Sequence, residues 1–252
     1  TKTRPSCPSI MTSLHPSATG VWNFHEQLGG HYLTIAEILR SQGFQTAAFV
    51  QNVNAGPAAG LHQGYSQLFD EYGGDSASLY SRAVPDWLEK NSTRNFFLYL
   101  HVMDPHGPYD PVKRFRNWHA DSAETSAPLQ KNTTLFDPEW VEAPTVEGRR
   151  ARYDGEIRNN DHHFASILKK LHELGIAEKT LVVFLSDHGE HLGEHGQWEH
   201  RPPGYIQVIR TPLIMVYPRG LPGNIVIREP VQNLDIAPTV LDLAGIDTGD
   251  LL

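Results

Sequence analysis

The chain has 252 residues, with 21 Lys and Arg against 29 Asp and Glu, so its formal net charge is −8 with histidine neutral. That balance excludes nucleic-acid binding through a bulk positive charge, and the single cysteine, Cys7, excludes an internal disulfide and an all-cysteine zinc site. At 39% hydrophobic residues the chain can bury a sizeable core, while its longest aliphatic or aromatic runs, 96–100 and 181–185, fall far short of the ~20 residues of a membrane helix, which predicts a soluble segment.

In chain order, residues 1–9 read as turn-like. With no initiator Met, charged leader or apolar stretch before them, the chain is expected to be truncated, any signal peptide or membrane anchor lying upstream. Amphipathic periodicity predicts a helix over 33–42, closed by Gly43, and a β-branched and aromatic run predicts a strand over 46–50. A helix over 77–90 ending near Asn91 and a strand over 95–103 follow. From 113 to 144 the periodicity lapses into scattered aromatics and prolines, an irregular excursion over the active-site side. Asn132-Thr133-Thr134 within it is a glycosylation acceptor if the protein is secreted, and the compartment stays open. A helix over 149–174 ended by Gly175, strands over 180–186 and 212–217, and a helix over 234–243 before Gly245 complete the pattern. Strands alternating with helices predict an α/β fold, a mostly parallel central sheet covered on both faces, as a single domain over 1–252.

Three segments carry candidate chemistry. The strand 180–186 delivers Asp187 and His188 at its carboxyl end, just before Gly189, at the edge where open α/β sheets bind ligands. Glu190, His191, Glu194, His195, Glu199 and His200 follow closely, a dense set of possible metal ligands, although a solvated polar loop has the same composition. The strand 95–103 and its exit carry His101, Asp104 and His106 in a turn stiffened by Pro105, Pro108 and Pro111. His106 there suits hydrogen-bond donation to an anionic oxygen, packing being the alternative. The N-terminal segment crowds Thr3, Ser6 and Cys7 beside Lys2 and Arg4, cations that suit attack on an anionic ester; by itself it reads as an ordinary Ser/Thr/Pro loop.

In this order and spacing the segments resemble the sulfatase family of the alkaline-phosphatase superfamily. Thr3-Arg4-Pro5-Ser6-Cys7-Pro8-Ser9-Ile10-Met11-Thr12-Ser13 follows the family signature with Pro5, Ser6 and Thr12 in place, and Leu14-His15-Pro16 and Gly20-Val21 match its continuation. Residues 101–109, 153–157 with Asp161, 186–196, 210–214 and 235–245 resemble later family blocks. The resemblance implies an alkaline-phosphatase-like three-layer sandwich and metal-dependent hydrolysis of sulfate or phosphate esters. It implies Thr3 as nucleophile, His106 and His200 as donors to non-bridging or leaving-group oxygens, and Arg4, Ser6 and His101 as substrate-binding residues. Asp187 and His188 would hold a divalent metal, Ca²⁺ as the family favours, with Mn²⁺ or Zn²⁺ as alternatives.

The departures from the family pattern shape the chemistry. Thr3 stands where sulfatases carry the Cys or Ser that becomes formylglycine, and Cys7 replaces an Arg. Superfamily members with an unmodified Thr are mostly phosphodiesterases, phosphonate hydrolases or phospho-group transferases. A shifted register makes Ser6 the first signature residue, at the expense of the Thr12-Ser13 position. The family's other two acidic ligands lie on a strand upstream of the signature, so the first central strand is expected outside this sequence. The family's Lys has no counterpart in 49–60, where Asn52 or Asn54 stands. Three classes therefore compete: an ester hydrolase, a phospho-group transferase acting on lipid or glycan acceptors, and a degenerate non-catalytic protein. The expected partner is a small anionic ester, with no nucleic acid and membrane contact only through the missing upstream segment; the sequence sets no oligomeric state.

Overall fold

The computed structural model describes residues 2–70, 72, 76–116, 146–200, 202, 204–247 and 249. Its first element is a helix, α1 (Thr3–Thr12), where the sequence predicts a turn. Pro5 sits in the first turn, whose N–H groups lack intrahelical partners anyway. Ser9 Oγ and Thr12 Oγ1 donate back to the carbonyls of Pro5 and Pro8 at 3.0 and 2.7 Å. Burial decides the outcome: Cys7, Ile10 and Met11 face the core, and tertiary packing outweighs the weak helix propensity of a Ser/Thr/Pro run.

After α2 (Pro16–Thr19), helix α3 (Ile35–Ser41) starts at a capping box in which the Thr34 hydroxyl accepts from the Glu37 N–H and the Glu37 carboxylate accepts from the Thr34 N–H. Strand β1 (Gln45–Val50) pairs in parallel with β2 (Gln67–Asp70) on one side and β3 (Phe96–His101) on the other. Between β2 and β3 run α4 (Ser76–Ser78), a π-turn over Leu79–Ala83 and α5 (Val84–Asn91). The long α6 (Val146–Glu173) leads to β4 (Val182–Leu185), the short hairpin β5 (His191–Leu192) and β6 (Trp198–Glu199), α7 (Ile206–Ile209), β7 (Leu213–Val216) and α8 (Ile236–Leu243). Strand β7 runs antiparallel to β4, in the register Val182↔Val216 to Leu185↔Leu213.

Alternation along β1 divides the core into two layers. Ala48 and Val50 pack with Cys7, Ile10, Leu39 and Leu241 from α1, α3 and α8; Ala47 and Phe49 pack with Trp87, Leu88, Ile167 and Leu171 from α5 and α6. Helices thus cover both faces of a parallel sheet, the three-layer arrangement the sequence implies. Strand β2 goes unread in the sequence because Gln67–Asp70 is a short, half-polar edge; it is anchored by Phe69 stacking on Phe49 at 4.5 Å.

Strands β3 and β4 are half-buried along their length. Among the described residues no hydrogen-bonded pairing joins them. A cavity of about 1470 Å³ is lined by residues 96–103 of one and 180–189 of the other. Of the excursion over 113–144, Lys113–Phe115 forms a 3₁₀ turn; residues 117–144, with Asn132-Thr133-Thr134, lie outside the described residues. Among the described residues no helix is long and apolar enough to cross a membrane.

Candidate active site

Strand β4 ends at Leu185, and the chain then turns through Ser186-Asp187-His188-Gly189. The turn is tied locally: Ser186 Oγ donates to the His188 carbonyl at 2.6 Å, and Asp187 Oδ1 accepts from the His188 N–H at 3.0 Å. Gly189 is required by close approach, since a Cβ there would lie 2.1 Å from the Gln207 carbonyl oxygen. His188 Nδ1 donates to the Gly189 carbonyl at 2.8 Å, which leaves the Nε2 lone pair facing the Thr3 hydroxyl at 3.4 Å. Asn52 Nδ2 approaches the same Thr3 oxygen at 3.5 Å. The Thr3 Oγ1 therefore sits between a donor and an acceptor, at the start of α1.

Beneath Thr3 lies a second group. The ligand atoms of Cys7, His101 and Asp187 all fall within 4.8 Å of one another. His101 Nε2 is 4.0 Å from Asp187 Oδ2, and His188 Nε2 is 3.7 Å from the same oxygen. Asp187 Oδ2 and His101 Nδ1 are buried without a hydrogen-bond partner, an arrangement that costs free energy unless something else satisfies them. Burial opposes the Asp187 charge, but the neighbouring His101 and His188 imidazoles and the Thr3 hydroxyl hold its carboxyl well below the usual range. Burial lowers His188 despite Asp187. Burial, with the Asp187 charge, pushes the Cys7 thiol well up, so Cys7 stays protonated with the Tyr99 hydroxyl 3.6 Å from its sulfur. An ionised carboxylate and adjacent imidazoles, with buried atoms left unsatisfied, fit a divalent cation.

Above Thr3 stand two further imidazoles. The His200 ring centroid is 4.4 Å from that of His188 and 5.7 Å from that of His106. His106 Nδ1 donates to the Gly107 carbonyl at 2.7 Å, and His200 Nδ1 donates to Glu190 Oε1 at 3.0 Å. The loop carrying His106 is clamped to α6. Glu156 Oε1 accepts from the Asp110 N–H at 2.7 Å, and Gly155 leaves no room for a Cβ, which would meet the Phe115 carbonyl oxygen at 2.4 Å. Burial, reinforced by the Asp104 charge, pushes the Glu156 carboxyl up to about 9, so it is neutral at pH 7.

The structure thus brings Thr3, His106, His188, His200 and Asp187 together, and gives the three residues expected to bind substrate the following neighbours. Arg4, expected to bind substrate, is buried and turned into the protein: Nε and Nη2 donate to Asn54 Oδ1 at 3.2 and 3.0 Å, and Nη1 donates to the Glu26 and Ala58 carbonyls. Those carbonyls, on loops whose path the sequence does not reveal, make Arg4 a structural anchor. His101 faces Asp187 and Cys7 instead of a substrate, because β3 ends opposite the turn after β4. Ser6 lines a separate cavity of about 450 Å³ with Lys2, Trp22 and His200, at the mouth of the site. Sequence reasoning missed the contacts of Glu190 with His200 and with Tyr109, and Asn233, whose Nδ2 donates to the Asp187 carbonyl at 3.3 Å. Their one advance signal was Glu190 inside the His-rich run.

A sequence model of the Sulfatase family matches residues 1–246. Arylsulfatase K of Mus musculus is 26% identical over 297 aligned residues, covering 96% of this chain and 52% of its own length. The low-salt glycan biosynthesis sulfotransferase Agl7 of Haloferax volcanii is 26% identical over 251 residues, covering 98% of this chain and 53% of its own length. The chain spans about half the length of these curated relatives. Among solved structures, the phosphonate monoester hydrolase of Silicibacter pomeroyi superposes with a TM-score of 0.75 at 21% identity, covering 98% of this chain and 64% of that one, a likeness of fold.

Proposed function

The chain belongs to the sulfatase family, and we propose that it acts in metal-dependent hydrolysis of sulfate or phosphate esters with Thr3 as the nucleophile. The observation that carries this reading is the Thr3 hydroxyl 3.4 Å from His188 Nε2, beside Asp187 at the end of β4. Asp187 and His188, with His101 close to Asp187, would hold the divalent cation, Ca²⁺ by family precedent, with Mn²⁺ and Zn²⁺ as the other outcomes of a metal analysis. A cation bound there supplies charge neutralisation and acidifies the attacking hydroxyl. Asn52 steadies the oxygen as its proton leaves, and His106 and His200 hydrogen-bond to oxygens on which charge builds. The secondary alcohol of Thr3 cannot become the formylglycine aldehyde, which supports phosphate-type esters or phosphonates over sulfates as the better substrates.

Among the described residues the cavity between β3 and β4 has an unpaired strand edge on either side. This supports a further strand seated there, contributed from outside these 252 residues, whose acidic side chains would complete the site around Asp187. A second reading, transfer of the group to an acceptor other than water, draws support from the match to a glycan sulfotransferase over 98% of the chain. The test is turnover of a panel of aryl sulfates, phosphodiesters and phosphonates, with and without added acceptor alcohol, with bound metal measured alongside. Absence of turnover with every ester, in metal-loaded protein, would leave only the non-catalytic reading.

A further inference from the structure

Resting on the reading of Thr3 as nucleophile, we infer that Glu190 is a positioning residue. Together with Tyr109 it holds the His200 ring by Nδ1 and turns Nε2 toward the leaving-group oxygen. The first observation is register. The hairpin pairs His191 with Glu199, so Glu190 and His200 fall opposite one another as the next rung, where cross-strand side chains meet. Glu199, just before His200, sits at φ 64°, a left-handed conformation that non-glycine residues adopt at a cost, and this kink re-aims the chain at His200.

The second observation is how firmly the carboxylate is held. The Glu190 side chain is only 6% exposed. One oxygen accepts from His200 Nδ1 at 3.0 Å and the other from the Tyr109 hydroxyl at 3.1 Å. Burial, followed by the Glu190 charge, pushes the Tyr109 phenol far up, so it remains a donor. Tyr109 belongs to the loop that Glu156 clamps to α6, so the carboxylate spans two elements and has little freedom to rotate.

The third observation sets His200 apart from its neighbours. His106 and His188 both give Nδ1 to backbone carbonyls; His200 gives its Nδ1 to a carboxylate, the stronger, charge-assisted kind of bond. A carboxylate on one ring nitrogen fixes the orientation and tautomer of an imidazole that works through the other. His200 also borders the mouth cavity lined by Lys2, Ser6 and Trp22, where a departing alcohol has room. A hydrogen bond from Nε2 to the leaving oxygen matters more as that oxygen becomes more basic, because more charge develops on it in the transition state.

The experiment compares matched esters with a nitrophenol and an unactivated alcohol leaving group. Glu190→Ala should lower kcat about 100-fold on the unactivated ester and less than about 10-fold on the nitrophenyl ester, with KM little changed. Glu190→Gln, which keeps an acceptor without the charge, should fall between, and Tyr109→Phe should show the same bias more weakly. In a His200→Ala background, Glu190→Ala should cost nothing further. Equal losses on both esters, or full additivity with His200→Ala, would overturn the inference. ¹⁵N-histidine NMR supplies an arm that needs no turnover: His200 should carry its proton on Nδ1 in the unaltered protein and lose that preference in Glu190→Ala. An unchanged His200 signal in a variant with an unchanged melt overturns the assignment. Failure of the unaltered protein to turn over any ester counts against Thr3 and leaves the NMR arm to decide on Glu190.

Discussion

Thr3 Oγ1 and His188 Nε2 lie 3.4 Å apart although 185 residues separate them in sequence. The contact joins the first residue of α1 to the turn that ends β4, so the geometry of the attacking hydroxyl depends on the burial of α1 as well as on the site itself. Removing the hydroxyl in Thr3→Ala should reduce kcat by at least about 1000-fold, while Thr3→Ser should retain part of it. Ser6→Ala should cost less than about 10-fold, because Ser6 faces the mouth cavity with no contact to His188. The reverse ranking, with Ser6→Ala inactive and Thr3→Ala active, would establish the shifted register.

Asp187→Ala should abolish retention of divalent metal while the thermal melt stays cooperative. The Asp187 carbonyl keeps its bond from Asn233, the side chain gives up only the contact of Oδ1 with the His188 N–H, and its Oδ2 has no hydrogen-bond partner to lose. Metal content after dialysis, read by mass spectrometry beside a melt, decides the matter. Stoichiometric metal in the variant would remove Asp187 from the site.

Glu156 makes stability depend on pH in a definite direction. Its folded-state pKa, about 9, lies above the ordinary carboxyl value of 4.5, so between those values the native state holds a proton that the unfolded chain has released. Stability should therefore be complete below about pH 4.5 and decline as pH rises toward 9, by on the order of a few kcal/mol. The groups facing it, Asp104 and Asp110, reinforce the penalty for ionising it. Glu156→Gln, which mimics the neutral acid, should melt several degrees higher than the unaltered protein at pH 8 and equally at pH 4. A variant that melts lower at pH 8 would show that Glu156 is ionised in the fold.

Hydrogen exchange tests the gap between β3 and β4. In the 252-residue chain by itself, β1 amides should be the most protected, since β1 is paired on both sides and fully buried over Thr46–Val50. Amides of β3 that point away from β1 should exchange far faster than their neighbours. Uniform protection along β3 would mean that the edge is already covered.

The layered fold was legible because its signals are local. The apolar run in β1 and the helical periodicity of α3 and α6 survive into the structure within a few residues, while the single helix read over 77–90 is realised as α4, the π segment and α5 in succession. Asp187 and His188 were legible for the same reason: a buried strand ending in polar residues and a glycine needs no tertiary information. Helix α1 was not, because Pro5 and Pro8 argue locally against it and the burial that favours it comes from α3, α8 and the sheet. The partners of Arg4, Glu26, Asn54 and Ala58, were not legible because they lie in segments with no periodic signal. The pairing of Glu190 with His200 depends on the register of a hairpin whose strands are two residues long, too short for alternation to reveal.

The most direct test of Thr3 as nucleophile is chemical quench of metal-loaded protein during turnover of a phosphodiester or phosphonate, followed by peptide mapping by mass spectrometry. The account predicts a covalent adduct on the peptide of α1, located at the Thr3 hydroxyl, that appears with substrate and is absent from Thr3→Ala. Turnover with Thr3 unmodified throughout, or an aldehyde at Ser6 in the resting protein, would contradict it.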